Sequence, residues 1–279
     1  MLIELERTAE TDLGIEVDGI VPDRLLGLRL DEIAGMPVWI GRDKLDLRSA
    51  FKIEVTEHFP ASENNPITIR WTGDLSNVHL IGAQMKQGKI EIDSSAGRHV
   101  GYGMSGGSIT VRGSVGDYAG AEMRGGLLEI LGDAGDHLGG CHGGNKTGVN
   151  RGEILVRGNA GAGVGQRMRR GLIAVQGNVG RLCGWNMLAG SIIVLGDCGT
   201  ECGTRMVRGT IVQGGDQNAP LLPTFAPGGT LKGGVLAMLE KRLKQLDFES
   251  NGLGQYTFYQ YHGDHLNGGR GEVFIVEKK

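Results

Sequence analysis

Apolar and polar positions alternate along most of this chain, and from residue 88 the alternation itself recurs every 19 residues. Two apolar columns stand two residues apart: Ile90, Ile109, Leu128, Ile154, Ile173, Ile192, Ile211, and Ile92, Val111, Ile130, Val156, Val175, Val194. A spacing of two puts both on one face of a strand. Smaller side chains define a second strand, in the columns Ala96, Val115, Ala134, Ala160, Val179, Cys198 and Val100, Ala119, Leu138, Val164, Cys183, Cys202. Glycine keeps the same register. Gly88, Gly107, Gly126, Gly152, Gly171, Gly190 and Gly209 are 19 residues apart except for one interval of 26, which holds a seven-residue insertion. A unit this short, with no helical period, cannot bury an apolar face alone, so successive units must stack at about 4.8 Å. The expected fold is all-β dominated, a right-handed parallel β-helix of about seven coils. A left-handed hexapeptide helix would show a six-residue apolar period, and none is present.

The ends depart from the repeat, as the caps of a stacked array do. Residues 1–66 are expected to form an N-terminal β cap, with strand-like runs at 2–5, 38–40 and 51–55 and a break at Asn64-Asn65-Pro66. The β-helix is expected over 67–215. Residues 216–229 hold three of the seven prolines and read as a linker opening a C-terminal segment, 216–279. Over 235–246, Val235, Leu236, Met238, Leu239, Leu243 and Leu246 share one helical stripe with Glu240, Lys241, Arg242 and Lys244 opposite, which predicts an amphipathic helix packed on the repeat. Tyr256, Phe258 and Gln260, a turn at Gly268-Gly269 and residues 272–277 predict a hairpin. It either covers the open end of the stack or presents its tyrosines as a contact surface.

At 279 residues and 39% hydrophobic content the chain can bury a full core, and the strict columns make its 51 glycines architectural. A net charge of −3 gives no global reason to expect nucleic acid or an anionic membrane, so any anion site must be local. The N-terminus lacks a basic and then long apolar stretch, and no segment approaches the length of a membrane span. The expected compartment is the cytoplasm, where the sequon Asn145-Lys146-Thr147 has no meaning.

Several motifs lose force against the repeat. Gly101-Tyr102-Gly103-Met104-Ser105-Gly106 matches a dinucleotide-binding pattern, but Gly101 belongs to a repeat column and a strand, not a helix, is predicted after it. Cys183, Cys198 and Cys202 stand where sister units carry Val, Ala or Leu and read as small core hydrophobes, so no metal site is expected. Cys141-His142 lies in the insertion, where a nucleophile beside a base is conceivable. His262-Gly263-Asp264-His265 reads as a solvated hairpin tip. One column is different. Met85, Met104, Met123, Val149, Met168, Met187 and Met206 are flanked within two positions by Lys86, Arg124, Arg151, Arg167, Arg169, Arg170, Arg205 and Arg208, against a single acid, Glu122. Stacking would turn these eight cations into a strip able to hold a linear polyanion.

The pattern G-x-[IL]-x-[VI]-x-G-x-[VA]-G-x-x-[VAL]-G-x-x-[MV] across 82–215 resembles the GxGxG-type β-helix domain shared by the glutamate synthase large subunit and the C subunit of formylmethanofuran dehydrogenase. A chain of this size with extra N-terminal strands is similar to the latter. The resemblance implies a non-catalytic subunit, without an active site of its own, in an archaeal formylmethanofuran dehydrogenase or a bacterial formyltransferase/hydrolase complex of one-carbon metabolism. It implies a methanofuran-type carrier with a polyglutamate tail, and a metal-dependent hydrolase subunit with formyltransferase or molybdopterin subunits as partners. Molybdenum, tungsten or zinc would then reside in those partners. The tail is the linear polyanion that the cationic strip suits. A passive structural module, or an acyltransferase using His142 as base, are the alternative readings.

Overall fold

The computed structural model describes residues 1–56, 67–215, 220–250 and 252–277. The break at Asn64-Asn65-Pro66 and residues 216–219 of the expected linker lie outside them. The N-terminal segment runs through β1 (Leu2–Arg7), β2 (Ile15–Glu16), the short helices α1 (Pro22–Leu25) and α2 (Leu30–Ala34), then β3 (Pro37–Ile40), β4 (Asp43–Asp46) and β5 (Phe51–Thr56). Beside the strands of the expected β cap stand two helices of four and five residues, too short to print a 3.6-residue period. Local chemistry still sets them. Pro22 begins α1, where a missing N–H leaves no bond unmade, and the Glu32 carboxylate accepts the Arg29 N–H at 2.8 Å to close the start of α2.

The repeat begins with β6 (Thr68–Thr72) and β7 (Val78–His79). It continues through β8 (Lys89–Ile92), β9 (Ser105–Val111), β10 (Arg124–Ile130), β11 (Arg151–Val156), β12 (Leu172–Val175), β13 (Ser191–Val194) and β14 (Arg208–Gln213). From β6 to β14, leaving β7 to a second sheet, these strands pair in parallel with like positions opposed: Ile90 on Ile109, Ile154 on Ile173, Ile192 on Ile211. A second parallel ladder of single bridges joins Leu75, Ala96, Val115, Ala134, Ala160, Val179 and Cys198. The chain is strand-dominated, in a large mainly parallel sheet with few helices. The isoleucines of the first ladder are fully buried, each contributing about 1.5–3 kcal/mol of transfer free energy. β1 adds one more rung: it runs parallel to β6 with Ile3 beside Ile69 and Leu5 beside Trp71, and β5 closes its other edge antiparallel.

Side chains reinforce the stack between units. The Ser95 and Ser114 hydroxyls, the Asp133 carboxylate and the Asn159 and Asn178 amide oxygens each accept the backbone N–H of the equivalent residue one unit on, at 2.6–3.1 Å. Glycine is demanded where units touch. Gly126 has φ +85°, and a Cβ there would lie 2.6 Å from Met104 Cε and 2.7 Å from the Gly107 carbonyl oxygen.

The last segment departs from the expected linker. Ala226–Lys232 is β15, paired antiparallel with β16 (Thr257–Gly263), the pairing shifting register between Pro227 and Gly229. Proline is tolerated because β15 is the edge strand. α3 (Val235–Gln245) lies between them, and β16 pairs antiparallel with β17 (Arg270–Val276), which docks in parallel on β14. Leu236 and Leu243 of α3 pack with Phe248, Phe258 and Phe274 on the outer face of β11 to β14. That face is built for it. Along one outward column, Glu91, Thr110 and Glu129 give way to Leu155, Ala174, Ile193 and Val212. Arg242 pairs with Glu153 at 2.6 Å, and Arg157 sits 4.8 Å over the Phe248 ring.

Candidate functional site

Strand register brings the cations together. Arg124 at the head of β10 opposes Arg151 at the head of β11 through a register shift between Arg124 and Leu127, and the 19-residue step that sets Leu172 on Glu153 carries Arg170 to the level of Arg151. Ala189 interrupts the row. It resumes at Arg208, and Arg270 of β17 is in register beside it. Lys86 and Arg169 sit one position before the row in their own units. All of these side chains are exposed. Among the described residues none of the eight predicted cations, nor Arg270, forms an ion pair, whereas Arg70, Arg112, Arg157, Arg181 and Arg242 each do. Parallel rungs about 4.8 Å apart hold the row's charges close, a repulsive arrangement unless an anion is present. Next to Arg151 lies a 520 Å³ groove lined by Gly107, Gly125, Gly126, Gly152 and Gly171, with Leu127, Leu172 and the Glu153–Arg242 ion pair beside them. Glycine leaves backbone accessible there, so an extended chain could approach closely.

Arg167 and Arg205 are placed differently. Both occupy a left-handed corner, at φ 54° and 58°, in the column that also carries Gln84, Glu122 and Asn186. The Arg167 guanidinium donates to the Asn145 carbonyl at 2.6 Å and is turned toward the insertion. At Arg205 the backbone N–H is held by the Asp264 carboxylate at 3.1 Å. Asp264 is only 2% exposed and also accepts from Leu266 N–H, so within the expected solvated tip, where His265 is exposed, Asp264 is a buried clasp between the last repeat and the hairpin.

The insertion folds back on an aromatic stack that the sequence did not disclose. His99, Tyr118 and His137 occupy one left-handed corner in successive units, with Tyr118 stacked 5.4 Å from His99 and 4.8 Å from His137. The His142 ring covers them, 4.6 Å from Tyr118 and 4.9 Å from His99. Burial first, and then the neighbouring His142, pushes His99 down to about 4. Glu122 ties the insertion down, accepting from Tyr102 Oη at 3.2 Å, His142 N–H at 3.3 Å and Asn145 Nδ2. Cys141 is 2% exposed and donates to the Asn145 carbonyl at 3.7 Å; burial raises its thiol, which works against a nucleophilic role. Residues 101–106 lead into β9, with no helix to receive a pyrophosphate.

Three of the four thiols meet. The sulfurs of Cys183, Cys198 and Cys202 lie within 4.8 Å of one another, and Gln213 Nε2 donates to Cys202 Sγ at 3.1 Å. Hydrogen bonds from Cys183, then Cys198, hold the Cys202 thiol well below its ordinary range, while hydrogen bonding within the trio and burial push Cys183 and Cys198 well above theirs. The cysteine columns were legible in the sequence; the convergence of a corner residue with residues one unit apart was not.

No family model matches the chain. Over 89 residues, 32% of the chain, it is 39% identical to the C subunit of molybdenum-containing formylmethanofuran dehydrogenase 1 from Methanosarcina barkeri. Over 93 residues it is 38% identical to the same subunit of Methanothermobacter marburgensis. These matches span 29% and 22% of the two curated relatives' lengths. Similarity to a solved structure is far more extensive. A chain of the formyltransferase/hydrolase complex (FhcABCD) from Methylorubrum extorquens, crystallised with methylofuran, superposes with a TM-score of 0.88 at 32% identity, over 99% of this chain and 100% of that one. Identity at that level over the full length of both chains, together with the segment shared with the archaeal C subunits, places this chain in the family of formylmethanofuran dehydrogenase C subunits.

Proposed function

We propose that this chain is the non-catalytic subunit of a formyltransferase/hydrolase or formylmethanofuran dehydrogenase complex, where it scaffolds the other subunits and docks the polyglutamate tail of a methanofuran-type carrier. The fold is taken as a right-handed parallel β-helix, its two parallel ladders being two walls of one coil, with cap, helix and C-terminal segment divided at 66/67 and 215/216. The observation that carries the tail dock is a line of exposed arginines without ion pairs among the described residues, in which Arg124 opposes Arg151, Arg208 opposes Arg270 and Arg170 follows Arg151 one repeat on, beside a groove lined largely by glycine. Tail carboxylates would relieve the repulsion within the row, and guanidinium groups can hold them in pairs. Lys86 and Arg169 flank the row, and Arg205 and Arg167, at the neighbouring corner, add charge beside it, Arg167 while bonded to the Asn145 carbonyl. Several weak contacts along one tail keep the carrier tethered while its reactive head moves between partner subunits. The methylofuran held by the related complex is a ligand of this class.

The experiment is binding of a glutamate oligomer to the full chain and to an Arg151→Ala/Arg170→Ala/Arg208→Ala variant at low and high salt. An affinity loss of about tenfold or more at low salt, shrinking as salt rises, is expected from three exposed charge pairs. Equal affinity for both proteins would leave the chain a passive scaffold.

A further inference from the structure

We propose that Cys183, Cys198 and Cys202 form a buried three-thiolate site for one divalent, thiophilic d10 cation of the zinc class, with Gln213 as its polar neighbour. Two independent departures from the repeat converge on one point. Cys183 and Cys202 take positions held by Val100, Ala119, Leu138 and Val164, and Cys198 one held by Ala96, Val115, Ala134, Ala160 and Val179. Gln213 stands in register with Val194, at the end of the inward column of Ile and Val. A core needing volume alone would keep Val or Ala at all four. An amide that is only 6% exposed is costly to bury unless it is bonded, and its partner here is sulfur. Neutral thiol is a weak acceptor, whereas thiolate is a strong one.

The geometry suits a metal better than a disulfide. Zinc–sulfur bonds of about 2.3 Å set ligand sulfurs about 4 Å apart, and these three lie within 4.8 Å of one another. A disulfide would join two and strand the third. Charge selects the ion class: three thiolates leave one net negative charge around a divalent cation and two around a monovalent one, and the Gln213 N–H can offset only a fraction of either. Binding displaces to solvent the protons that the three sulfurs carry and forms three metal–sulfur bonds without change of oxidation state. Turning the Gln213 amide over would offer its oxygen as a fourth ligand. At 8% exposure, Cys198 is the least buried of the three.

The test expresses the full chain in cadmium- or zinc-supplemented medium and purifies it under reducing conditions. One bound metal per chain is expected, with an ultraviolet thiolate-to-cadmium charge-transfer band. Alkylation should reach none of the three clustered thiols while the metal is held, even in denaturant without chelator, and all four thiols once the chain is unfolded with a chelator. A Cys183→Val/Cys198→Ala/Cys202→Val variant, carrying the residues of sister units and so keeping the fold, should bind none, and Gln213→Val should bind at least tenfold more weakly. Equal metal content in wild type and the triple variant, absence of the band, or a disulfide among the three in the purified chain would overturn the site.

Discussion

Arg270 of β17 stands in register beside Arg208 of β14, one rung away in a parallel sheet. The two are brought together by a strand that lies outside the 19-residue repeat, and neither is ion-paired among the described residues. Like charges on neighbouring rungs repel, so neutralising one should not destabilise the fold. Arg270→Gln is expected to leave the thermal midpoint unchanged or to raise stability by up to about 0.5 kcal/mol. It should also weaken glutamate-oligomer binding about threefold at low salt. Thermal melts and binding isotherms on the same preparations check both halves, and a destabilised variant of undiminished affinity would make Arg270 a structural residue.

The two left-handed glycines Gly103 and Gly126 should respond unequally to substitution. Gly103 has φ +62° and only Gln84 Cγ, at 3.7 Å, near a new Cβ; its column carries Gln84, Glu122 and Asn186 at similar φ. Gly103→Asn should therefore change stability by less than about 1 kcal/mol, because asparagine enters this region readily. Gly126→Ala meets Met104 Cε and the Gly107 carbonyl, and backbone cannot yield there without breaking the stack. A loss of about 3 kcal/mol is expected from the sum of backbone strain and overpacking. Urea unfolding of the two variants decides it.

Acid should weaken the aromatic stack. His99 has its pKa lowered to about 4 by burial and by His142, while an unfolded histidine titrates near 6.5. Between those values the unfolded chain binds the extra proton, so stability is full above about pH 6.5 and is lost progressively as the pH falls toward 4. His99→Phe keeps a ring against Tyr118 and removes the titration. Unfolding midpoints at pH 7.5 and 5 should differ less in this variant than in the wild type, and an NMR titration of the His99 ring should show it neutral at pH 5.

Which parts of this protein were readable in advance follows from the range of the interactions involved. The repeat was legible because each residue packs on its equivalent 19 positions away: the column Ile90 to Ile211 is at once a sequence period and a spatial ladder. The helix over Val235–Gln245 was legible because its stripe is local. Even its docking site left a trace, in the outward column that turns apolar at Leu155, although the trace means nothing until α3 is seen to cover it.

The sequence by itself therefore determined the strands of the repeat and their register, since both depend on neighbours at one constant separation. Tertiary structure alone decided which cations form a row and which turn away: Arg270 joins through a distant strand, and Arg167 leaves for the Asn145 carbonyl. It also decided that His142 lies on Tyr118, and that Gln213 and three cysteines share one pocket of the core. Apart from Cys183 and Cys202, which stand one repeat apart, those contacts join corners, insertion and C-terminal strand at separations that obey no period, so only the closed chain brings them together.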